Sequence, residues 1–474
     1  LHLSWLMRGS KAVYLAEIDA ATGTSRIVAR DTGKTYVEIA NPQDPASFYV
    51  TKDLKDAFWW SERDGWGHLY RFDGAGVANI IADPKKMSLA PEPKAQITSG
   101  AWQVGQISYV DEVLRQVYFT GRGRDGFLYY PKLYRVNYDG TGLTLLTPED
   151  GHHVITFSPS GKYFVDSYSR VESPPVTTLR SSATGAVLRK LEEADVSRLK
   201  VVGWRAAQVF NVKARDGITD IYGVLYLPPN IDSTKKYPII SHIYPGPQVG
   251  SVGSWSFKNG GEPFSLAELG FVVIQLDHLG TPLRSKAFHD NYYGFFGDNG
   301  LPDHIAAIKQ LGSKYGFIDT DRVGIFGHSG GGFASTDAML RYPDFFKVGI
   351  SESGNHDNRN YEDDWGERYH GLLTTTGAVD NYDKEANQTL AKNLKGKLML
   401  AHGTMDDNVP PDNTWLVVDA LIKAGKDFDL VMIPNAAHGY GAASNYMMRR
   451  RWDYFVQHLL GATPPKEYQI GPKS

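Results

Sequence analysis

The 474-residue chain contains no cysteine, no long apolar run and no excess of basic residues. The lack of cysteine excludes a disulfide scaffold, a thiolate metal site and a cysteine nucleophile. No run of about 18 apolar residues occurs, so we predict no membrane span. Lysine and arginine number 50 against 53 acidic residues, a net charge of −3, and nothing indicates a nucleic-acid partner. Neither a zinc-protease motif nor a phosphate-loop motif occurs, so we predict no metal and no cofactor.

The first half of the chain, residues 1–205, has an all-β pattern. Short aromatic and β-branched runs alternate with polar residues and end at turn signals such as Asp73-Gly74. A weak theme, an aromatic strand followed by a glycine-containing turn, occurs in residues 57–72, 116–138 and 153–169. Repeats of about 40–50 residues predict propeller blades, roughly four when residues 1–40 are included. The alternative is a β-sandwich of unrelated hairpins.

The second half, residues 206–474, has a different pattern. Apolar runs such as Pro238–Tyr244 and Lys397–Ala401 are continuous, which is typical of parallel strands buried on both faces. Helical periodicity is found in Asp303–Lys314, Trp415–Lys423 and Tyr446–Leu460. Alternating strands and helices predict a doubly wound α/β domain.

The most specific motif is Gly327-His328-Ser329-Gly330-Gly331, which matches G-x-S-x-G. A predicted strand precedes it and a predicted helix follows, the context of a nucleophile elbow in an α/β-hydrolase. The turn would strain Ser329, so close neighbours must be small, and we expect glycine to be needed at 327, 330 and 331. The alternative is a glycine-rich surface turn.

A serine hydroxyl needs a base, and in α/β-hydrolases the chain order is serine, acid, histidine. His438 follows the predicted strand Leu430–Ile433, whereas the helical pattern around His458 favours an ordinary surface role. The acid follows the strand Lys397–Ala401, where Asp406 and Asp407 are adjacent and spacing leaves both open.

The oxyanion of a tetrahedral intermediate requires hydrogen-bond donors. One is expected to be the backbone N–H of Gly330, the residue after the nucleophile. The second is expected in the loop after an earlier strand, and Tyr244 begins such a loop in Tyr244-Pro245-Gly246-Pro247. Taken alone, a tyrosine at a strand end more often serves packing than catalysis.

Five ordered motifs together resemble the prolyl oligopeptidase family of serine peptidases, and most of all its dipeptidyl peptidase IV branch. The motifs are Tyr244-Pro245-Gly246-Pro247, Gly327-x-Ser329-x-Gly331-Gly332, Glu367-Arg368-Tyr369-His370-Gly371, His402-Gly403-Thr404-x-Asp406-Asp407-Asn408-Val409 and His438-Gly439. The resemblance implies a β-propeller over an α/β-hydrolase domain. It also implies Ser329, Asp406 and His438 as the triad, with Tyr244 in the oxyanion hole.

The resemblance further implies a substrate site. Asn408 matches a residue that contacts the substrate backbone, and Tyr361, Trp365 and Val409 match a small hydrophobic pocket for proline. Trp365 replaces an expected tyrosine and keeps an aromatic wall. His328 and Gly330 stand where the branch has two aromatic residues, so an open Gly330 is expected to widen the pocket.

Two features depart from the family pattern. The family propeller has seven or eight blades, and the sequence fits about four, so we expect a fragment or a chain without the first half of the propeller. The branch also reads the free amine of its substrate with a glutamate pair in the propeller. Glu192-Glu193 lies too close to the hydrolase half to match that pair. By resemblance, a homodimer and a periplasmic or secreted location are expected.

Three functions remain open. The first is a peptidase that releases amino-terminal dipeptides with proline or alanine in the penultimate position. The second is a carboxylic ester hydrolase, for example on acylated sugars, with the same triad. The third is a non-enzymatic binding module, which is disfavoured because every triad position is filled.

Overall fold

A computed structural model of the chain describes residues 1–38, 48–78, 90–377 and 379–471. Residues 39–40 of the predicted first blade lie outside the described residues, and so does the end of the predicted surface tail, 472–474.

The described part of the first half contains sixteen strands. They are β1 (His2–Leu6), β2 (Ala12–Ile18), β3 (Ser25–Thr32), β4 (Phe48–Val50), β5 (Asp56–Ser61), β6 (His68–Asp73), β7 (Val77–Ala78), β8 (Ala95–Gln96), β9 (Gln103–Asp111), β10 (Gln116–Arg122), β11 (Lys132–Asn137), β12 (Thr144–Leu145), β13 (His152–Phe157), β14 (Tyr163–Arg170), β15 (Ser173–Ser181) and β16 (Val187–Glu193). Among these residues they form four antiparallel sheets of four strands, the number of blades predicted.

The strand orders are β1-β2-β3-β7, β4-β5-β6-β8, β9-β10-β11-β12 and β13-β14-β15-β16. The predicted aromatic strand is the second strand of the second and third sheets, but in the fourth sheet it is the first, β13. In the fourth sheet the repeat in the sequence therefore begins one strand earlier than in the other two. An aromatic strand followed by a glycine-containing turn can be either the first or the second strand of a blade, so the sequence pattern does not distinguish them.

Strand β5 shows how the sheets pack side by side. Ala57 and Trp59 join a buried cluster with strands of the first sheet, whereas Phe58 and Trp60 join a cluster with the third sheet. Since successive side chains point to opposite faces, a strand between two blades is apolar on both. This packing explains the unbroken Ala-Phe-Trp-Trp run.

A short helix, α1 (Ser197–Val201), connects the halves, and the predicted boundary at 205/206 falls between β16 and the next strand. The second half adds β17 (Gln208–Lys213), β18 (Asp220–Tyr226), β19 (Tyr237–His242), α2 (Glu262–Glu268), β20 (Val272–Asp277), α3 (Lys286–His289), α4 (Leu301–Lys314), β21 (Ile318–His328), α5 (Gly330–Arg341), β22 (Phe346–Glu352), α6 (Asp363–His370), β23 (Thr375–Thr376), β24 (Val379–Asp380), β25 (Lys397–Gly403), α7 (Asp412–Lys423), β26 (Asp429–Ile433) and α8 (Ser444–Phe455). The three predicted helices correspond to α4, α7 and α8.

Eight of these strands form one sheet in the order β17-β18-β20-β19-β21-β22-β25-β26. From β20 to β26 all neighbours are parallel, whereas β17, β18 and β20 pair antiparallel. On β19, Ile239 packs into the core beneath α4, α5 and α7, and Ile240 packs into the core with α2 and α8. The parallel arrangement brings the carboxyl ends of β19, β21, β25 and β26 to one edge, where the candidate residues follow.

Candidate active site

Ser329 occupies the sharp turn between β21 and α5. Its φ of 60° and ψ of −123° lie in a region that side chains other than glycine rarely adopt. The turn is held by the Ser329 N–H, which donates to the carbonyl of Glu352 at 2.8 Å. This is the strained elbow that the motif predicts, and it presents the serine at the carboxyl edge of the sheet.

The glycines around the elbow differ in what they permit. A Cβ at Gly327 or Gly331 would lie 2.4 or 2.3 Å from the carbonyl oxygen of Ile243, and one at Gly332 would lie 2.3 Å from that of Glu352. A Cβ at Gly330 would make only ordinary contact, 3.6 Å from the Tyr244 ring. The expected need for glycine is therefore wrong at 330, where a Cβ would be accommodated in ordinary contact, and it applies at 332 instead.

Asp406 and His438 are hydrogen-bonded across the ends of β25 and β26. The distance from His438 Nδ1 to Asp406 Oδ2 is 2.7 Å. Asp406 Oδ1 accepts the backbone N–H groups of Asn408 at 3.1 Å and Val409 at 2.9 Å. His402 Nε2 lies 3.2 Å from Oδ2. The carboxylate is thus held on both oxygens while it orients the imidazole.

Burial separates the two aspartates that the sequence left open. Asp406 is 5% exposed, whereas Asp407 is exposed to solvent. Burial pushes the pKa of Asp406 upward, but the hydrogen bonds from His438 and the Val409 N–H outweigh it and leave the pKa below its usual value. Asp406 is therefore ionised at neutral pH and suited to stabilise an imidazolium.

His328 directly precedes Ser329 in the chain, and its ring packs against the candidate base. Its ring meets that of His438 edge to face, with centroids 4.5 Å apart, and that of Tyr440 at 5.6 Å. Burial lowers the pKa of His328 to about 3, and His438 acts in the same direction. Within the described residues no hydrogen bond joins Ser329 to His438, a contact that commonly tightens only when substrate binds.

Tyr244 lies above the nucleophile and is held by two polar contacts. Its backbone N–H donates to Ser251 Oγ at 2.9 Å, and its hydroxyl accepts from Gln248 Nε2 at 2.8 Å. Burial raises the pKa of Tyr244, while hydrogen bonds with Ser329 and Gln248 offset the rise in part. The hydroxyl is therefore protonated and can donate.

Gln248 connects Tyr244 to the predicted pocket. Its Oε1 accepts from Trp365 Nε1 at 3.2 Å, and because an indole N–H only donates, the amide orientation is fixed. Its Nε2 must then donate to Tyr244, whose own proton is left free. Sequence reasoning did not single out Gln248, although an amide directly after Tyr-Pro-Gly-Pro was a signal.

Three of the four predicted substrate-binding residues form one group: Tyr361 just before α6, Trp365 on α6, and Asn408 in the loop after β25. Tyr361 and Trp365 meet edge to face at 5.6 Å, and the Tyr361 hydroxyl donates to Asn408 Oδ1 at 3.4 Å. Trp365 also stacks on Phe296 at 4.8 Å. Val409 is fully buried, and its N–H binds Asp406, so its part in lining a pocket stays a prediction.

The described residues, 1–38, 48–78, 90–377 and 379–471, contain neither a cluster of metal ligands nor a long apolar helix. No group of three or more His, Asp or Glu side chains there is placed to hold a metal ion. No helix within the same ranges is long and apolar enough to cross a membrane.

Two family models together match most of the chain. Residues 255–462 match the Prolyl oligopeptidase family, and residues 1–175 match the Dipeptidyl peptidase IV (DPP IV) N-terminal region. Human dipeptidyl peptidase 8 is 32% identical over 412 residues, which cover 79% of this chain and 44% of that protein. Mouse prolyl endopeptidase FAP is 26% identical over 426 residues, which cover 88% and 52%. The chain spans about half the length of these curated relatives.

A solved structure supports the same architecture. Porphyromonas gingivalis dipeptidyl peptidase 4 superposes with a TM-score of 0.83 at 24% identity, covering 97% of this chain and 62% of that chain. Likeness at this identity concerns the fold. With the two family matches it confirms an α/β-hydrolase domain preceded by a β-propeller portion, and the β-sandwich alternative is wrong.

The aspartate pair offers a matched test of the acid. Asp406→Asn should lower kcat on an activated aryl ester by about 10⁴-fold, because the imidazole loses its correct tautomer and its counter-charge. Asp407→Asn should leave kcat within about twofold, since that side chain faces solvent. Equal losses in the two variants, measured at equal folded concentration, would contradict the assignment of Asp406.

Proposed function

Because the chain belongs to the prolyl oligopeptidase family of serine peptidases, we propose that it releases dipeptides from the amino termini of short peptides. Proline or alanine is the proposed penultimate residue. The observation that carries the proposal is the hydrogen-bonded pair Asp406–His438 beside the strained Ser329. The names of the similar proteins, dipeptidyl peptidase 8 among them, support the peptide substrate.

In the proposed mechanism Ser329 attacks the scissile carbonyl while His438 takes its proton. Asp406 keeps the Nδ1 proton of His438 directed away from the serine, so that Nε2 is the basic nitrogen. The imidazolium that forms is stabilised by the ionised carboxylate. His328 packs on the face of His438 and, being neutral, adds no competing charge.

The oxyanion of the tetrahedral intermediate is stabilised by two donors in this proposal. One is the N–H of Gly330 at the start of α5, and the other is the hydroxyl of Tyr244. Gln248 already donates to Tyr244 Oη, so the tyrosine's own proton is available for the substrate. His438 then protonates the leaving amine, and water hydrolyses the acyl-enzyme with the same base.

The proposed pocket for the penultimate side chain has aromatic walls from Tyr361 and Trp365, with Asn408 at its rim. Such a pocket suits a small apolar ring or methyl group. The second candidate is an ester hydrolase with the same triad: glycine at 330 leaves only the volume of a side chain, whose Cβ would lie 3.6 Å from the Tyr244 ring, and a slightly larger acyl group would use that volume.

Three substrates compared side by side decide between the two candidates: a free-amine Gly-Pro anilide, the same compound with a blocked amine, and a short-chain aryl ester. We expect cleavage of a free-amine Gly-Pro anilide, much slower cleavage of the amine-blocked compound, and loss of turnover by several orders of magnitude in Ser329→Ala. Cleavage of the ester alone would favour the esterase. Equal cleavage of the free-amine and the amine-blocked anilide would contradict the release of dipeptides from free amino termini.

The hydroxyl of Tyr244 has its own test. Tyr244→Phe should lower kcat by about 10²–10³-fold with little change in KM, because an oxyanion donor acts in the transition state. The loss should appear on anilide and ester alike. A near-normal kcat in this variant would remove Tyr244 from the oxyanion hole and leave it as a packing residue.

A homodimer is the proposed assembly, with α7 in the contact. Trp415, Leu416 and Ile422 of this helix are 45%, 39% and 64% exposed, so the helix presents large apolar side chains to solvent. Trp415→Glu should convert a dimer to a monomer in sedimentation equilibrium, because a buried unpaired carboxylate is costly. A wild-type chain that sediments as a monomer, or a variant that remains dimeric, would contradict this contact.

A further inference from the structure

Tyr36 belongs to the propeller portion but is buried against the hydrolase half. Its side chain is 1% exposed. The ring meets Tyr369 of α6 edge to face at 4.9 Å and His289 of α3 edge to face at 5.5 Å. Lys286 Nζ lies over the ring, 3.4 Å from its centroid. Tyr36 thus touches two separate elements of the catalytic half at once.

The first of these elements, α3, and the turn that follows it support the oxyanion loop, residues 244–247. His289 Nε2 is 2.6 Å from the carbonyl oxygen of Pro247, and the Tyr292 hydroxyl donates to that of Pro245 at 2.9 Å. Both carbonyls belong to the loop that begins with Tyr244. A shift of α3 would therefore move the backbone that places the Tyr244 hydroxyl.

The second element, α6, carries Trp365, which forms one wall of the proposed pocket. Tyr369 packs against Trp365 with ring centroids 5.7 Å apart on the same helix. The neighbouring Arg368 forms an ion pair with Glu38 of the Tyr36 segment, and Glu367 accepts hydrogen bonds from Arg8 Nε at 3.0 Å and from Arg8 Nη2 at 2.6 Å. Two ion pairs, Arg8–Glu367 and Glu38–Arg368, therefore join the propeller portion to α6.

Lys286 and Asp290 of the hydrolase half also hold the segment that carries Tyr36. Thr35 Oγ1 donates to Asp290 Oδ2 at 2.8 Å, and Lys286 pairs with Asp290 at 2.5 Å. The Tyr36 hydroxyl has no hydrogen-bond partner among the described residues, so the ring and not the hydroxyl makes the contact.

We infer that Tyr36 is a positioning residue through which the propeller portion sets both the oxyanion loop and the aromatic pocket wall. The inference rests on the proposed function for its substrates. Its physical basis is that one rigid ring is wedged between α3 and α6, while Gln248 ties the loop to Trp365 above them. Loss of the ring would let both supports relax together.

The test compares Tyr36→Phe, Tyr36→Leu and Tyr70→Leu in the full chain, with active sites titrated by a fluorophosphonate. Tyr70 is a matched control because it is a buried tyrosine of β6 whose hydrophobic cluster contains no residue of the hydrolase half. The readouts are kcat and KM on Gly-Pro and Gly-Ala anilides, the rate of Ser329 phosphonylation, and the melting temperature.

Tyr36→Phe should match the wild type, because it keeps the ring. Tyr36→Leu should lose roughly 10²-fold in kcat/KM, label Ser329 more slowly and change the Pro-to-Ala preference, since small misplacements near a reacting centre are costly. Tyr70→Leu should lower the melting temperature and leave the rates per active site unchanged.

Two results would overturn the inference: unchanged rates and selectivity in Tyr36→Leu with only a lower melting temperature, or a phenylalanine variant as impaired as the leucine variant. If Tyr36→Leu does not fold, Glu38→Gln serves instead, with a smaller loss expected and unchanged rates counting against the inference. A wild type that is phosphonylated but cleaves no anilide refutes the proposed function alone, because the labelling rates still decide the role of Tyr36.

Discussion

Direct backbone contact between the loop after β19 and the nucleophile turn is the constraint on which the rest of the site depends. The carbonyl oxygen of Ile243 fills the space where Gly327 and Gly331 would carry side chains. Since Tyr244 follows Ile243 in the chain, the same contact places its ring beside Gly330. The glycines thus allow the strained serine and also determine where the tyrosine hydroxyl lies. The backbone contact that allows the strained serine therefore also sets the position of the candidate oxyanion donor.

Hydrogen bonds then connect the chemistry to the pocket. Trp365, Gln248 and Tyr244 form a chain in which the indole N–H can only donate, so Gln248 accepts with Oε1 and donates with Nε2 to Tyr244. On the opposite side, Asp406 is held by backbone N–H groups from the segment that carries Asn408. The groups that would bind substrate therefore share supports with the groups that would react, and neither set can move alone.

The two halves of the chain use the same packing rule in different architectures. A strand of the propeller portion such as β5 is apolar on both faces because blades flank it, and β19 is apolar on both faces because helices cover the sheet. Continuous apolar runs therefore occurred in both halves. What distinguished the halves was the material between strands, short turns in one and helical segments in the other.

The candidate nucleophile, the candidate base and the fold class were predictable from the sequence, because they depend on local order: a strand, a glycine turn and a helix around Ser329, and a histidine after the last strand. Periodicity likewise predicted α4, α7 and α8, and the continuous apolar runs predicted β19, β25 and β26, whereas the short helices α2, α3 and α6 were not predicted. Tertiary structure decided the rest. Asp406 and Asp407 are adjacent in sequence and differ only in burial, and the need for glycine at 332 instead of 330 depends on a carbonyl from a distant strand. Gln248, His402 and Tyr36 gain their roles from partners far along the chain, and such contacts exist only once folding brings the carboxyl edge, α6 and the propeller portion together.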